Sequence, residues 1–313
     1  MPLTNSQLRY YDSTILRLPQ EKRTEYHGQV DRLVAALTSN VRDRAEIKIT
    51  KVVKAGSFAK HTILRKTALD PVDVDVVFYI AGRNESQETL TSLLEDIYAL
   101  LIKLYPTKVI DDFEIQNRAA TITFVGSGLS VDIVPVIEVA GYPGYGYQFG
   151  LDGSVNMTCA PCQIQFVKSR KDTDSDYRTL VRMAKRWRNQ AEIKPLKSFT
   201  IELIMAYLLD TRGKGDLLEK RFCDFLLYLA QTGLKEQITF PENVEPFGVF
   251  SHPVVILDPV NSKNNVGARI SETERLEIAA SAAKSWEDAH FASAENDLEL
   301  WKEVFGPRFK VED

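Results

Sequence analysis

The segments KAGSFAKHT, residues 54–62, and DVDVV, residues 73–77, carry the clearest chemical pattern in this chain. The first follows the strand-like run IKITKVVK, and its glycine and serine predict a tight turn that leads into a helix. The second alternates acidic and apolar residues, so Asp73 and Asp75 would point to the same face of a strand. Carboxylates that lie so close together repel each other unless a cation neutralises them.

A third acid lies in another apolar segment. Asp132 interrupts LSVDIVPV, which otherwise predicts a buried strand. An unpaired acid in such a strand costs stability. Three carboxylates on neighbouring strands form an all-oxygen site that suits Mg²⁺ or Mn²⁺. Two such ions about 3.5–4 Å apart support in-line phosphoryl transfer, so we predict that Asp73, Asp75 and Asp132 are catalytic metal ligands.

The glycine-serine turn fits the same chemistry. Gly56 would let the backbone approach a phosphate closely, Ser57 could donate its hydroxyl, and the amides at a helix start attract anions. A lone DxD or a lone Gly-Ser turn is a weak signal, because most such pairs are surface turns or caps. The combination of strand, turn, helix start and three acids predicts a site for a metal–nucleotide complex, in which Gly56 and Ser57 hold the phosphates.

The pattern of apolar residues divides the chain into two parts. Helical spacing predicts helices over 21–37 and 88–104, with β-rich runs on either side of the second helix. These elements predict an α+β fold with a sheet lobe over 1–160 and a mostly helical lobe over 161–313. We expect the two lobes to share an interface with a cleft in it. The tyrosine-rich segment 142–147 predicts a loop or wide hairpin that could form a lid or a partner surface.

Composition narrows the class of protein. The chain has 313 residues, of which 44% are hydrophobic and 26% charged, and its formal net charge is −4. This profile indicates a globular protein and argues against a strongly basic DNA-coating protein, although it allows a local basic patch. The N-terminus lacks an uninterrupted apolar core, and no segment approaches the roughly 20 apolar residues that cross a bilayer. We therefore expect no signal peptide and no membrane association.

The three cysteines, Cys159, Cys162 and Cys223, form a sparse, odd-numbered set. Such a set predicts reduced thiols and a cytoplasmic location. Cys159 and Cys162 form a CAPC motif, but the sequence has no second CxxC and no histidine nearby. We therefore predict that the pair packs near a helix start rather than binding metal or undergoing redox chemistry.

Several motifs resemble a known fold. GSFAKHT, DVDVV and VDIVPV resemble the signature of the nucleotidyltransferases that include DNA polymerase beta, poly(A) polymerases and the oligoadenylate synthases. KSFTIELIMAYLLD, ILDPVNSKNNVGARI and LWKEVFGPRF are similar to the bacterial cGAS/DncV-like nucleotidyltransferases, or CD-NTases. The similarity is closest to the clade that occurs beside HORMA-domain proteins in CBASS antiphage operons. It extends from about residue 33 to residue 309, and the second group of motifs is the more specific.

The resemblance implies a metal-dependent enzyme that joins NTPs into a cyclic di- or trinucleotide messenger and releases pyrophosphate. It also implies that the sheet lobe over 1–160 is catalytic, with an N-terminal helix across its back. The helical lobe over 161–313 would bind nucleotide, with the active site in the cleft between the lobes. Asp132 would lie nearest the attacking ribose hydroxyl, two Mg²⁺ ions would be bound, and Mn²⁺ could substitute for them. The clade implies ATP as a substrate and cyclic tri-AMP as the product. It also implies activation through a HORMA-domain protein and disassembly of that complex by an AAA+ ATPase. Double-stranded DNA stays open as an activator, although the net charge does not favour it.

The predicted helical lobe has a basic segment. Residues 166–198 contain ten lysines or arginines and four acids. Arg178, Arg182 and Lys185 recur at i, i+4 and i+7, on one side of a predicted helix. Such a stripe is either a solvated charged face or a clamp for a triphosphate. Beside the carboxylates we favour the clamp for Lys185, but not for each arginine.

The resemblance implies further nucleotide contacts. Lys197 and Ser198 match the KS motif with which relatives contact phosphate, and Phe199 follows where an aromatic residue stacks on the donor base. Packing at a helix start explains Phe199 equally well. Asp258 lies in the segment ILDPVNSKNN, which is either a simple turn or, as in the family, part of the wall near the base.

Two other classes of function stay open at this point. One is a nucleotidyltransferase that adds nucleotides to RNA or modifies a protein without making a ring. The other is a catalytically silent binding scaffold, against which the presence of Asp73, Asp75 and Asp132 argues. Incubation with ATP and metal distinguishes them, because only a cyclase makes a small product that resists phosphatase.

Overall fold

The structure of the chain is a computed structural model, and it describes residues 2–42, 48–65, 72–81 and 87–312. It contains two compact units, Leu18–Gln165 on one hand and Met1–Arg17 with Phe166–Asp313 on the other. The boundary in the middle of the chain lies five residues beyond the predicted one at 160. The first seventeen residues group with the helical unit and not with the lobe over 1–160 to which they were predicted to belong.

The described residues form helices and strands in the following order. The helices are α1 (Asn5–Tyr11), α2 (Gln20–Arg42), α3 (Gly56–Ala59), α4 (Gln87–Leu104), α5 (Ala160–Thr173), α6 (Tyr177–Gln190), α7 (Ser198–Arg212), α8 (Leu218–Thr232), α9 (Glu272–Glu295) and α10 (Trp301–Phe305). The strands are β1 (Lys48–Lys54), β2 (Val72–Ala81), β3 (Phe113–Ile115), β4 (Ala120–Phe124), β5 (Leu129–Glu138), β6 (Gly146–Phe149), β7 (Val155–Thr158), β8 (Leu257–Asp258) and β9 (Asn261–Asn265).

One mixed sheet forms the frame of the unit Leu18–Gln165. Its strands lie in the order β1-β2-β5-β4-β3. β6 pairs with the C-terminal end of β5, and β7 pairs with β6. β2 and β5 run parallel at its centre, and the other neighbours are antiparallel. The tyrosine-rich segment 142–147 turns between β5 and β6, which agrees with the predicted hairpin. The two strands that carry the candidate acids are therefore adjacent and central.

The two faces of this sheet differ in chemistry. On β2, Val74, Val76 and Phe78 belong to a core that also includes buried residues of α2, α4 and β5, among them Val30, Leu33, Leu37, Ile97, Leu101, Val131 and Ile133. Side chains alternate along a strand, so the residues between them face the other way. That second face has a smaller apolar cluster that includes Val77 and Val134. Burial of the first face against α2 and α4 leaves the acids on the opposite face.

The helical unit has its own core, which includes the N-terminal segment. The Thr4 side chain caps α1 in a capping box with Gln7, and Leu8 and Tyr11 are fully buried. A π-helical turn, Asp12–Leu16, follows α1. In the described ranges, no helix is both long enough and apolar enough to cross a membrane.

The structure corrects the prediction for the cysteines. Cys159 and Cys162 are joined by a disulfide at the start of α5, so the prediction of reduced thiols is wrong for this pair. Cys159 is buried, as expected for a residue near a helix start. Cys223 on α8 is a free thiol, and burial raises its pKa to about 12.

The disulfide predicts a simple count of reactive thiols. Protein that is purified without reductant and denatured with an alkylating agent should gain one adduct, at Cys223. After reduction it should gain three adducts. Intact-mass spectrometry measures both counts, and three adducts before reduction would contradict the bonded pair.

Candidate active site

The register of β2 and β5 brings the candidate acids together. Asp75 on β2 is the lateral partner of Asp132 on β5, and Asp73 is the partner of Ser130. Lateral partners on adjacent strands direct their side chains to the same face of the sheet. Asp73, Asp75 and Asp132 therefore share the face opposite α2 and α4. Neighbouring strands are about 4.8 Å apart, so rotation of the side chains can bring these carboxylates to a common ion.

The electrostatics of this group reflect crowding of like charges. Desolvation, together with the negative charges of Asp132 and Asp73, raises the pKa of Asp75 to about 6, while the Lys60 ammonium acts in the opposite direction. Desolvation also raises the pKa of Asp132, and a hydrogen bond from Thr121 opposes that rise. The ionised group is therefore strained electrostatically, which is the condition that a bound cation relieves.

Gly56 lies directly against Asp75. Its φ is +58°, and a Cβ placed on it would lie 1.6 Å from Oδ2 of Asp75. The backbone also joins the two segments, because the Ala55 amide donates to the Asp75 carbonyl at 2.7 Å. Glycine is thus required here for two reasons, a left-handed backbone and the closeness of a carboxylate.

Contacts with α2 stabilise the single helical turn α3. Phe58 is fully buried, and the Arg23 guanidinium lies 4.5 Å from its ring centroid and donates to its carbonyl at 2.7 Å. The Ser57 carbonyl accepts from the amides of Thr62 and Ile63, which closes the turn. Within the described part of the chain, the Ser57 hydroxyl makes no hydrogen bond. That hydroxyl is available to a ligand.

The donor set fits a divalent metal. Three carboxylates provide only oxygen ligands, which Mg²⁺ and Mn²⁺ prefer. Among the described residues, no three acidic, histidine or cysteine side chains are already gathered into a cluster that could hold an ion. Asp73, Asp75 and Asp132 would have to converge by rotation of their side chains, and their shared face and lateral spacing allow this.

Comparisons with known proteins identify the family. The Second Messenger Oligonucleotide or Dinucleotide Synthetase domain family matches residues 3–154. The CBASS oligonucleotide cyclase CdnC of Escherichia coli strain KTE188 is 62% identical over 314 residues, which cover 100% of this chain and 99% of that protein. This chain belongs to the CdnC family of CBASS oligonucleotide cyclases. It is thus a CD-NTase, a nucleotidyltransferase that synthesises cyclic oligonucleotides.

Solved structures of a CdnC from E. coli MS115-1 agree with this assignment. The complex of that CdnC with HORMA-deltaN has a TM-score of 0.82 and 31% identity, with 98% of each chain covered. The structure of that CdnC with ATP has a TM-score of 0.83 and 30% identity, with 98% of this chain and 99% of that chain covered. The Cyclic AMP-AMP-AMP synthase of E. coli MS 115-1 is 35% identical, and 94% of each chain is covered.

Membership of the CdnC family confirms three predictions. These are the CD-NTase resemblance, the α+β nucleotidyltransferase fold and the class of enzyme. It decides against an enzyme that only tails RNA or modifies protein, and against a silent scaffold, because the family is one of oligonucleotide cyclases.

The basic stripe on α6 of this CdnC-family enzyme is not a solvated face. Arg182 is buried and donates to both carboxylate oxygens of Asp12, at 2.5 and 2.7 Å. Lys185 is 2% exposed, and its Nζ lies 2.7 Å from Oε1 of buried Glu202. The alternative of a solvated charged face is therefore wrong for these two residues, because acids distant in sequence pair with them inside the helical unit. The role of Lys185 in binding a triphosphate stays a prediction.

The other predicted nucleotide contacts occupy two environments. Lys197 is exposed and precedes α7, while Ser198 and Phe199 are half-buried in its first turn. Asp258 is buried, and its carboxylate accepts from the Val260 amide and from the side chain of Asn264. The structure therefore gives Asp258 the turn-forming role, and contact with a base stays a prediction.

Three residues near the acids were not singled out from the sequence. Thr121 on β4 donates to Oδ1 of Asp132 at 2.7 Å. Glu114 on β3 is the lateral partner of Thr121, and its charge also raises the pKa of Asp132. Lys60 is buried beside Asp75, at the end of α3. Lys60 lies within the motif GSFAKHT, so the sequence could have indicated it. Thr121 and Glu114 are revealed only by the strand registers, which the sequence does not show.

Proposed function

We propose that this enzyme converts ATP into cyclic tri-AMP with release of pyrophosphate, and that Asp73, Asp75 and Asp132 hold the two catalytic Mg²⁺ ions, for which Mn²⁺ can substitute. The observation that carries the proposal is the lateral pairing of Asp75 with Asp132 beneath Gly56. The product is supported by the relative named Cyclic AMP-AMP-AMP synthase. ATP as a substrate is supported by the solved CdnC with ATP.

Each residue of the site would have a distinct task. The close approach of Gly56 and the available Ser57 hydroxyl suit the phosphates of the donor nucleotide. Divalent ions bound to the carboxylates would neutralise phosphate charge and lower the pKa of the attacking hydroxyl. Asp132 would lie nearest that ribose hydroxyl and accept its proton. The new ester forms at the α-phosphorus as pyrophosphate leaves.

The helical unit would contribute contacts to the nucleotide. Lys197 and Ser198 are accessible at the start of α7, where a cation and a hydroxyl can bind phosphate oxygens. Half-buried Phe199 can stack on a base without selecting it. Lys185 and Asp258 belong to the same proposed set of nucleotide contacts. Their alternative roles are structural: Lys185 pairs with Glu202, and Asp258 accepts hydrogen bonds within its own turn.

A HORMA-domain protein is the proposed activating partner. The support is the solved complex of a related CdnC with HORMA-deltaN. An AAA+ ATPase that disassembles the complex belongs to the same proposal. Double-stranded DNA stays a prediction that the net charge of −4 does not favour.

Product analysis tests the proposed reaction. Purified enzyme should be incubated with ATP alone and with mixed NTPs, in Mg²⁺ or Mn²⁺, with and without a HORMA-domain partner. The expected product resists phosphatase and has the mass of a ring of three AMP units. A ring of two units, or one that contains another base, would contradict cyclic tri-AMP. Label that appears only on RNA or protein would contradict the formation of a cyclic product.

A further inference from the structure

We infer that Thr121 is a positioning residue for the proposed reaction. By holding one carboxylate oxygen of Asp132, it fixes the direction in which the other oxygen faces the reacting groups. The inference rests on the proposed role of Asp132, and it adds a residue that does not itself touch substrate or metal.

Thr121 lies directly beside Asp132 in the sheet. The two residues are lateral partners on the antiparallel strands β4 and β5. The Thr121 hydroxyl donates to Oδ1 of Asp132 at 2.7 Å, and Thr121 is 5% exposed. A buried hydrogen bond to a charged group is stronger than one in water. Threonine is also stiff at χ1, so the donor itself is held in place.

The surroundings of Asp132 explain why such a bond is needed. Asp75 is its lateral partner on one side, and Glu114 lies beyond Thr121 on the other. Asp73 adds a third negative charge on the same face. An unrestrained Asp132 carboxylate would turn away from these like charges. The Thr121 hydroxyl counteracts this by holding Oδ1, so that Oδ2 remains for the reacting groups.

The strand supplies a matched control. Thr123 lies two residues along β4, so its side chain points to the same face as that of Thr121. Its hydroxyl lies 3.4 Å from the Ser130 hydroxyl. Thr123→Val therefore makes the same chemical change on the same strand and removes a bond of a different kind.

The test compares Thr121→Val, Thr121→Ser and Thr123→Val in the full-length enzyme. Loss of an outer-shell partner typically reduces metal affinity or activity about 10–100-fold. We expect that loss in kcat for Thr121→Val, with little change in the KM for ATP. Calorimetric titration with Mg²⁺ should show weaker binding to Thr121→Val without any substrate. Thr121→Ser keeps the donor and should restore both values to within about threefold, and Thr123→Val should match wild type.

The outcomes separate this inference from the proposed function. Wild-type kcat and Mg²⁺ affinity in Thr121→Val, together with an inactive Asp132→Asn, would overturn the positioning role alone. An active Asp132→Asn would overturn the proposed site itself. Equal losses in Thr121→Val and Thr123→Val would show general damage to β4 and would also overturn the inference. If valine prevents folding, Thr121→Ala removes the same hydroxyl and decides the question.

Discussion

Replacement of Gly56 by alanine is expected to reduce turnover by about 100-fold or more, because a misplacement of about 1 Å in a catalytic site has an effect of that size. The new Cβ would lie 1.6 Å from Oδ2 of Asp75. No rotation of the methyl group relieves this collision, so either the Asp75 carboxylate or the turn that carries Ser57 must move. Both belong to the proposed site. Steady-state rates of product formation measure the effect.

Gly128→Ala is the matched control for this variant. Gly128 also has a positive φ, +71°, but nothing lies within 4 Å of a Cβ built there. Each alanine pays a left-handed backbone penalty of about 1–2 kcal/mol, which denaturant unfolding can measure. Gly128→Ala should therefore lose only this backbone contribution and retain normal turnover, whereas Gly56→Ala also carries the cost of the collision. Equal turnover in the two variants would contradict the steric argument at Gly56.

Asp75→Asn is expected to abolish product formation and to stabilise the metal-free protein at neutral pH. In the folded protein the pKa of Asp75 is about 6, against an ordinary value of 3.8. Between pH 4 and pH 6 the unfolded chain releases this proton while the folded protein keeps it. The free energy of unfolding therefore falls as pH rises through this window, by about 3 kcal/mol. Below pH 4 both states are protonated and the effect vanishes.

Urea unfolding in EDTA at several pH values measures this effect. Wild type should lose stability from pH 4 to pH 6, and Asp75→Asn should lose less. Mg²⁺ should stabilise wild type more than the variant, because only wild type has the full set of carboxylates. Asp111→Asn, at an exposed acid of the same unit, is the control and should behave as wild type. Undiminished turnover in Asp75→Asn would rule out the assigned site.

The sequence was sufficient for the local elements of the site. Alternation along DVDVV and within LSVDIVPV places the acids on one face of their strands, and this depends only on backbone geometry. The predicted helices over 21–37 and 88–104 correspond to α2 and α4 for a similar reason, since apolar spacing reports which side of a helix is buried.

Pairing between distant segments could not be predicted in the same way. Thr121 faces Asp132 because β4 joins β5 in one particular register, and a shift of one residue would turn its side chain to the other face. The buried pair of Lys185 with Glu202 could not be predicted, because the two residues lie on different helices. The prediction of reduced thiols was wrong for Cys159 and Cys162, because the spacing of two cysteines in the sequence does not reveal their oxidation state.

The grouping of residues 1–17 with the C-terminal half has a consequence for synthesis of the protein on the ribosome. The sheet unit is one uninterrupted stretch and can fold as soon as it emerges. The N-terminal segment must wait, because Arg9 meets Asp176 and Asp12 meets Arg182 only after more than half the chain has been translated, although nearby Arg17 also donates to Asp12. A chain that ends before residue 182 would lack Arg182, the buried partner of Asp12, and its N-terminal segment would have no helical unit on which to pack.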